Sequence, residues 1–385
     1  MLRLYDTRRR AIAPVRARGR AVAMYVCGVT PYDTTHLGHA RTFLTFDVIT
    51  RLLEATGHPV RYVQNVTDID ESILQRAARD TVGWRELGRR EERSYLADMK
   101  QLGWRRPDVL AHATRELPAM FALIRDLERR DVPYVLPRGV YFPVAAAKHY
   151  GELSRLSAAS MKRVLAGQDD AKLEDPGRRD PRDFALWRFV DDGPTWPSTW
   201  GRGRPGWHLE CSAMIRHHLG DQIDIHGGGS DLVYPHHENE IAQSETATRK
   251  RPLARTWTHV APMQLGGMKM SKSDGNMVFV RDALKTTDPR ALRLYLLDRH
   301  YRKPFDHDEL LLDRARLRAK AFADTFGRGP VGPIGGDAYT RGALAALEND
   351  LNVPRALGII EWSASRVDAK TRASLRAVAR IIGVA

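Results

Sequence analysis

One stretch restricts the fold of this chain more than any other: Tyr25-Val-Cys-Gly-Val-Thr-Pro-Tyr-Asp-Thr-Thr-His-Leu-Gly-His-Ala-Arg-Thr42. The apolar run Val22–Val26, bounded by turn formers, predicts a short buried strand, with Cys27 at its end. His36-Leu-Gly-His39 then opens a helical pattern of Phe43, Phe46, Val48, Ile49, Leu52 and Leu53. In an open α/β sheet, ligands sit at the carboxyl ends of the strands. There the next helix presents its free N–H groups to anions. One thiol, two imidazoles and a helix start therefore surround one crevice. Gly38, between the histidines, removes a side chain that would keep a polyphosphate away.

A second stretch, Lys269-Met-Ser-Lys272-Ser273 followed by Asp274-Gly-Asn276, suits a mobile clamp on phosphates, each lysine acting as a point charge. Alone, it reads as a solvated basic turn. Together with the histidine stretch, and in this order, it reads as nucleotide-handling machinery.

The rest of the chain fits a large soluble α/β protein. Its 385 residues allow two or three domains and a sizeable core. No apolar run approaches the ~20 residues of a membrane span, and the N-terminus lacks the apolar centre of a secretory signal, so a cytoplasmic location is expected. A net charge of +14 favours an anionic partner such as RNA or nucleotides, although arginines spread along the chain also fit a compositional bias. The two cysteines, Cys27 and Cys211, make a metal pair more natural than a disulfide in a reducing compartment.

In chain order, a βαβ unit is expected from Val22–Val26, Thr42–Ala55 and Val60–Val66. Charged helices follow to about residue 135, then a short β segment at Gly139-Val-Tyr-Phe-Pro-Val. The segment from Ala166 to Pro181 is expected to be the least structured. Cys211–Leu219 and Glu238–Thr248 read as helices, and Ile223–His226 and Trp257–Pro262 as strands. Gly227-Gly-Gly-Ser-Asp reads as a tight glycine loop. Beyond residue 283 the pattern is helical, with a glycine-rich linker at Gly327–Gly336.

These motifs run in a familiar order. To them are added Asn65-Val-Thr-Asp-Ile-Asp70, Arg179-Asp-Pro181 with Leu186-Trp187, Pro205-Gly-Trp-His-Leu-Glu-Cys-Ser212, Asp224-Ile-His-Gly-Gly-Gly-Ser-Asp231 and Pro235-His-His-Glu-Asn-Glu240. From about Leu4 onward the chain resembles the class I aminoacyl-tRNA synthetases of the cysteine-specific kind. It equally resembles their close relative, the cysteine ligase of mycothiol synthesis. The resemblance implies an α/β fold: a Rossmann-like catalytic domain with an insertion, followed by an all-helical C-terminal bundle. The corresponding segments are 1–95, 96–195 (insertion), 196–282 (with the lysine loop) and 283–385, with no further anticodon-reading domain.

The resemblance also implies roles. His36 and His39 would contact ATP, and Lys269 and Lys272 would stabilise departing pyrophosphate. Thr67 and Trp207 would line the cysteine pocket, and Gly229, Ser230 and Asp231 would lie near the adenylate, with Thr30 and Thr42 as further binding residues. Mg²⁺ would accompany ATP without a dedicated cage. One Zn²⁺ per chain would sit on Cys27, Cys211, His236 and Glu240. Two thiolates, an imidazole and a carboxylate suit that ion, and residues four apart share a helix face. His237 and Glu238 are alternative ligands by register, and His226 reads equally as a structural histidine.

The implied reaction joins the L-cysteine carboxylate to the α-phosphate of ATP. The acceptor divides the reading. Glu240, the His39-Ala-Arg-Thr42 sequence and the basic charge favour tRNA(Cys), taken first. Thr30-Pro-Tyr-Asp33 and the ending at Ala385 favour glucosaminyl-inositol, the alternative. Leu165–Ala171 does not match the Glu-Arg-Gly-Gly-Asp-Pro stretch of the mycothiol enzymes. A monomer is expected. Gly266-Gly-Met268 precedes the first lysine where the family commonly has an acidic residue, which leaves the loop's closure contacts undefined.

Overall fold

The apolar run beginning at Val22 becomes the centre of a five-stranded parallel sheet. A computed structural model describes residues 1–385 except 34, 167–174, 176, 271–274 and 328. Its strands lie in the spatial order Ala254–Val260, Ile223–Gly229, Val22–Val29, Val60–Val66, Val109–His112. All four neighbouring pairs are parallel. The order steps outward in both directions from Val22–Val29. That strand is therefore the switch point of the sheet, where a crevice opens at the carboxyl ends.

Strand and helix bounds depart from expectation in instructive ways. Val22–Val29 outruns the expected Val26 end, because the pairing resumes at Val29 opposite Val66 after a bulge. A Cβ on Gly28 would stand 1.9 Å from the Asn65 carbonyl, so only glycine lets the strands approach there. The first helix starts at Leu37, not Thr42, because His36 caps it.

The expected glycine loop is corrected. Gly227, Gly228 and Gly229 are paired strand residues. A Cβ on Gly227 would lie 2.1 Å from the Phe46 ring, so the glycines serve close packing of helix on sheet.

The segment 96–195 also holds Val109–His112, the edge strand of the core sheet, which the topology assigns to the catalytic unit. The inserted unit carries a separate antiparallel sheet, ordered Tyr134–Leu136, Gly139–Phe142, Phe184–Phe189, Gly203–Pro205. The expected irregular segment Ala166–Pro181 and the Leu165–Ala171 comparison fall largely outside the described residues.

The C-terminal region is helical apart from the two-residue strand Phe305–Asp306, which pairs with Met263–Leu265. Its helices are Pro289–Leu297, Glu309–Phe326, Ala338–Glu348, Val353–Ala364 and Ala369–Ile382. One apolar core runs continuously from the sheet face (Met24, Ile49, Ile225) into these helices (Leu294, Leu357, Ile382). Among the described residues, no helix is long and apolar enough to cross a membrane.

Candidate active site and metal centre

A cavity of about 660 Å³ opens at the carboxyl ends of the central strands. Its lining brings together Cys27, His36, His39, Trp207, Asp231 and Lys269, which the sequence scatters over more than half the chain. Thr30, Thr42 and Gly229 line it as well.

His36 is fixed by its own helix. Its Nδ1 accepts the N–H groups of Gly38 at 3.1 Å and His39 at 3.3 Å, which assigns the ring proton to Nε2. The two imidazoles stack with centroids 3.7 Å apart. A Cβ on Gly38 would lie 2.9 Å from His36 Cε1, so the glycine first makes room for the cap itself. Thr42 donates its hydroxyl to the Gly38 carbonyl at 3.0 Å, so that group is committed to the helix.

Lys269 ends the Met268–Lys269 strand, which pairs with Met263–Leu265, and its Nζ lies 2.8 Å from Asp231 Oδ2. Ser230 opens the short turn that carries Asp231. Lys272 lies outside the described residues.

Thr67 sits behind the cavity wall. It is 2% exposed, donates to Glu210 Oε2 at 3.0 Å and accepts from Asn65 Nδ2 at 3.1 Å. Burial pushes the Glu210 carboxyl well above the usual range. Sequence reading gave Glu210 no role, although it stands in the Pro205–Ser212 stretch, because a lone carboxylate just before an expected helix resembles any solvated one.

Deeper still, four donors converge. Cys27 belongs to the central strand, Cys211 to the helix Trp207–Leu219, and His236 and Glu240 to one face of the helix His236–Thr248. Each is at most 5% exposed. The donor separations are 3.8 Å between the sulfurs, 3.6 Å from Cys27 Sγ to Glu240 Oε1, 3.4 Å from His236 Nε2 to Cys211 Sγ, and 3.1 Å from His236 Nε2 to Glu240 Oε1. A sulfur–sulfur separation of 3.8 Å excludes a disulfide.

The electrostatics follow from crowding. Burial opposes charge at all four donors. The Cys27 thiol is pushed well up, by burial and by its hydrogen bond to Cys211. Against burial, contacts with Cys27 and His236 bring Cys211 down to about 6. Against burial, Cys211 and Glu240 lift His236 to about 10, and His226 and His236 bring Glu240 down to about 2. Such a cluster, already polarised into thiolate and carboxylate, invites a cation.

More histidines surround the four donors. His226 Nε2 lies 2.8 Å from Glu240 Oε2, and its Nδ1 is buried without a partner among the described residues. His208 Nδ1 lies 2.9 Å from His236 Nδ1, and Trp207 stacks on the His236 ring at 4.3 Å. His237 Nε2 lies 3.3 Å from Cys27 Sγ, while its Nδ1 meets His259 Nε2 at 2.8 Å. A second donor set, Cys27, His226, His237 and Glu240, therefore overlaps the first. The alternative ligand Glu238 faces away, accepting the N–H groups of Gly151 and Ser154 at 2.9 and 2.8 Å. His208, though inside the Pro205–Ser212 stretch, and His259 were given no role, since each gains one only from a neighbour elsewhere in the chain.

Fold and site together define a nucleotide-binding α/β enzyme of the synthetase type. The family described as "tRNA synthetases class I (C) catalytic domain" matches residues 14–317, and the chain belongs to it. It is 42% identical to the L-cysteine:1D-myo-inositol 2-amino-2-deoxy-alpha-D-glucopyranoside ligase of Nocardia farcinica, over 95% of this chain and 90% of that one. It is 46% identical to the cysteine–tRNA ligase of Gloeothece citriformis, over 76% of this chain; the match spans 61% of that ligase's length. Among solved structures, Mycobacterium tuberculosis methionyl-tRNA synthetase in complex with methionyl-adenylate superposes with a TM-score of 0.65. At 16% identity over 95% of this chain and 90% of that one, it shares the fold.

Proposed function

We propose that the chain is an ATP-dependent ligase that activates L-cysteine as cysteinyl-adenylate and transfers it to tRNA(Cys). One observation carries the cysteine specificity: the thiolate-rich donor quartet abuts the cavity that holds the histidine pair and Lys269, with Cys27 in the lining of both. Zn²⁺ fits that quartet. Bonds of about 2.3 Å to sulfur at the tetrahedral angle put two sulfurs about 3.8 Å apart, the separation between Cys27 and Cys211. What zinc supplies when bound is a soft Lewis-acid seat for the substrate thiol, which the harder, less acidic hydroxyl of serine cannot match.

The side chains would divide the work. Cys27, Cys211, His236 and Glu240 hold the metal, while Trp207 and His208 fix the His236 ring. Thr67 and Glu210 shape the wall beside the substrate. His36, its proton on Nε2, donates to ATP from the helix N-terminus, and His39 stacks beside it. Lys269, once exchanged from Asp231 to phosphate, would stabilise charge building on pyrophosphate as the cysteine carboxylate attacks the α-phosphorus, with Lys272 in a like role. Mg²⁺ arrives with ATP. Positioning and charge stabilisation account for catalysis of this kind. We take the enzyme to act as a cytoplasmic monomer.

A second acceptor, glucosaminyl-inositol, is supported by the colinear match to the Nocardia farcinica ligase over 90% of that protein's length. A competition separates the two readings. With ATP and labelled cysteine, deacylated tRNA and glucosaminyl-inositol are offered side by side. Label on tRNA supports the first reading, and label on the sugar amine replaces it with the second. No cysteine-dependent pyrophosphate exchange would sink both.

A further inference from the structure

We infer that Glu116, His217 and His218 form a second transition-metal site, at the seam between the start of the helix Leu117–Glu128 and the end of the helix that carries Cys211. This inference does not rest on the cysteine-ligase reading. Glu116 immediately precedes the helix Leu117–Glu128, and the two histidines occupy the last turn of Trp207–Leu219. Both imidazoles converge on one carboxylate. His217 Nδ1 lies 2.7 Å from Glu116 Oε2, and His218 Nε2 lies 2.8 Å from Glu116 Oε1. The three donor atoms all lie within 4.8 Å of one another.

Donors on a tetrahedral ion with bonds of about 2.0–2.1 Å stand about 3.3 Å apart. Widening the two His–Glu116 separations by on the order of half an ångström would bring them to that spacing, with an ion in place of the two imidazole protons. Glu116 is 7% exposed, so its carboxylate is held in place. The His217 side chain is 58% exposed, which leaves a way in from solvent and room for water to complete the coordination.

Two nitrogen donors and one oxygen suit Zn²⁺ and its neighbours rather than Mg²⁺ or Ca²⁺. The carbonyl end of a helix, where the histidines sit, favours a cation. Along the shared helix, His217 is six residues beyond Cys211, about 9 Å at 1.5 Å per residue, so this centre is separate from the buried quartet. An ion here would pin the far end of the helix bearing Trp207 and Cys211 to the start of the helix Leu117–Glu128.

The test uses the full-length protein, stripped of metal, titrated with Zn²⁺ and counted by metal analysis. Wild type is expected to bind one more equivalent per chain than the double variant H217Q/H218Q, and also one more than E116Q, which keeps the shape of the site. Co²⁺ then separates the two centres. Thiolate ligands give intense near-ultraviolet charge-transfer absorption, and a nitrogen–oxygen site gives none. The H217Q/H218Q variant should lose one equivalent yet keep that absorption. A Zn²⁺-induced rise in melting temperature should be smaller in H217Q/H218Q than in wild type. If both variants bind as many ions as wild type, with unchanged melting shifts, the trio is only a hydrogen-bonded cluster and the inference is overturned.

Discussion

Lys269 Nζ and Asp231 Oδ2 lie 2.8 Å apart across the mouth of the cavity. This pair answers what Gly266-Gly-Met268 left open. The acidic partner of the first lysine comes from the turn after the central glycine strand instead of from the preceding residue. Both side chains are about half exposed (48% and 53%), so the pair is weak and readily exchanged. That suits a cation which must leave a carboxylate for a phosphate. Replacing Lys269 with Ala should slow ATP–pyrophosphate exchange by about 10²-fold, with the KM for cysteine nearly unchanged. An unaltered exchange rate would remove the lysine from the chemistry.

The buried quartet predicts a joint loss. On the zinc reading, Cys211→Ser should abolish metal binding at the quartet and cysteine-dependent exchange together, because a hydroxyl does not replace the thiolate. A chelator that removes the metal from wild type should do the same reversibly, with Zn²⁺ restoring activity. Metal content and exchange measured on the same samples decide it. Full activity with no metal at Cys27 would show that substrate selection rests on the protein groups alone.

The wall behind the substrate makes a finer prediction. Thr67 donates to Glu210 Oε2, and both are nearly inaccessible. Thr67→Val leaves a buried carboxyl short of a partner, which costs about 1–3 kcal/mol. Expressed in cysteine binding, that is a rise in the KM for cysteine of about 5- to 150-fold, with the KM for ATP close to wild type. Equal changes in both would mean a general loosening of the site.

Much of this was legible in the sequence, for reasons that differ by residue. The histidine stretch carries its own context, because a strand, a turn and a helix cap lie within eighteen residues and each constrains the next. His236 and Glu240 were readable as one helix face. The glycines 227–229 misled because glycine signals both loops and close packing, and only the Phe46 ring against Gly227 distinguishes them. Val109–His112 is too short for its three apolar residues to mark a strand rather than part of the helical sequence around it. His226 and His237 were flagged in the sequence, but the ring they form with His208 and His259 around the quartet was hidden for a deeper reason. Each residue is unremarkable locally, and its partner is fixed only when strands distant in sequence become neighbours.

Asp47 ties the catalytic helix to the C-terminal helices, and its loss should be felt in stability. Arg293, fully buried, donates to Asp47, to the Ile382 carbonyl at 2.6 Å and to the Leu102 carbonyl at 3.0 Å. Gly383, at φ +80°, leaves the space this guanidinium occupies. Asp47→Ala would strand a buried charge, which costs about 3–5 kcal/mol. Chemical denaturation should show that loss, whereas a change under about 1 kcal/mol would mean the carbonyls alone satisfy the arginine.

A pH-dependent contribution is expected from Glu92 and His112, which join the helix Trp84–Gln101 to the edge strand. His112 Nε2 lies 3.0 Å from Glu92 Oε1, with both side chains mostly covered. That hydrogen bond raises His112 above its ordinary 6.5 and lowers Glu92 below its ordinary 4.5. The glutamate's share of stability is present above about 4.5 and fades as the pH falls through its lowered value. The histidine's share is complete below about 6.5 and fades as the pH rises through its raised value. The pair therefore stabilises most between those two pH values. His112→Gln should cost about 0.5–1 kcal/mol near pH 5.5 and almost nothing near pH 9. Thermal melts of both proteins across that range check the sign, and a penalty that grows with pH would show that the histidine acts neutral, through packing.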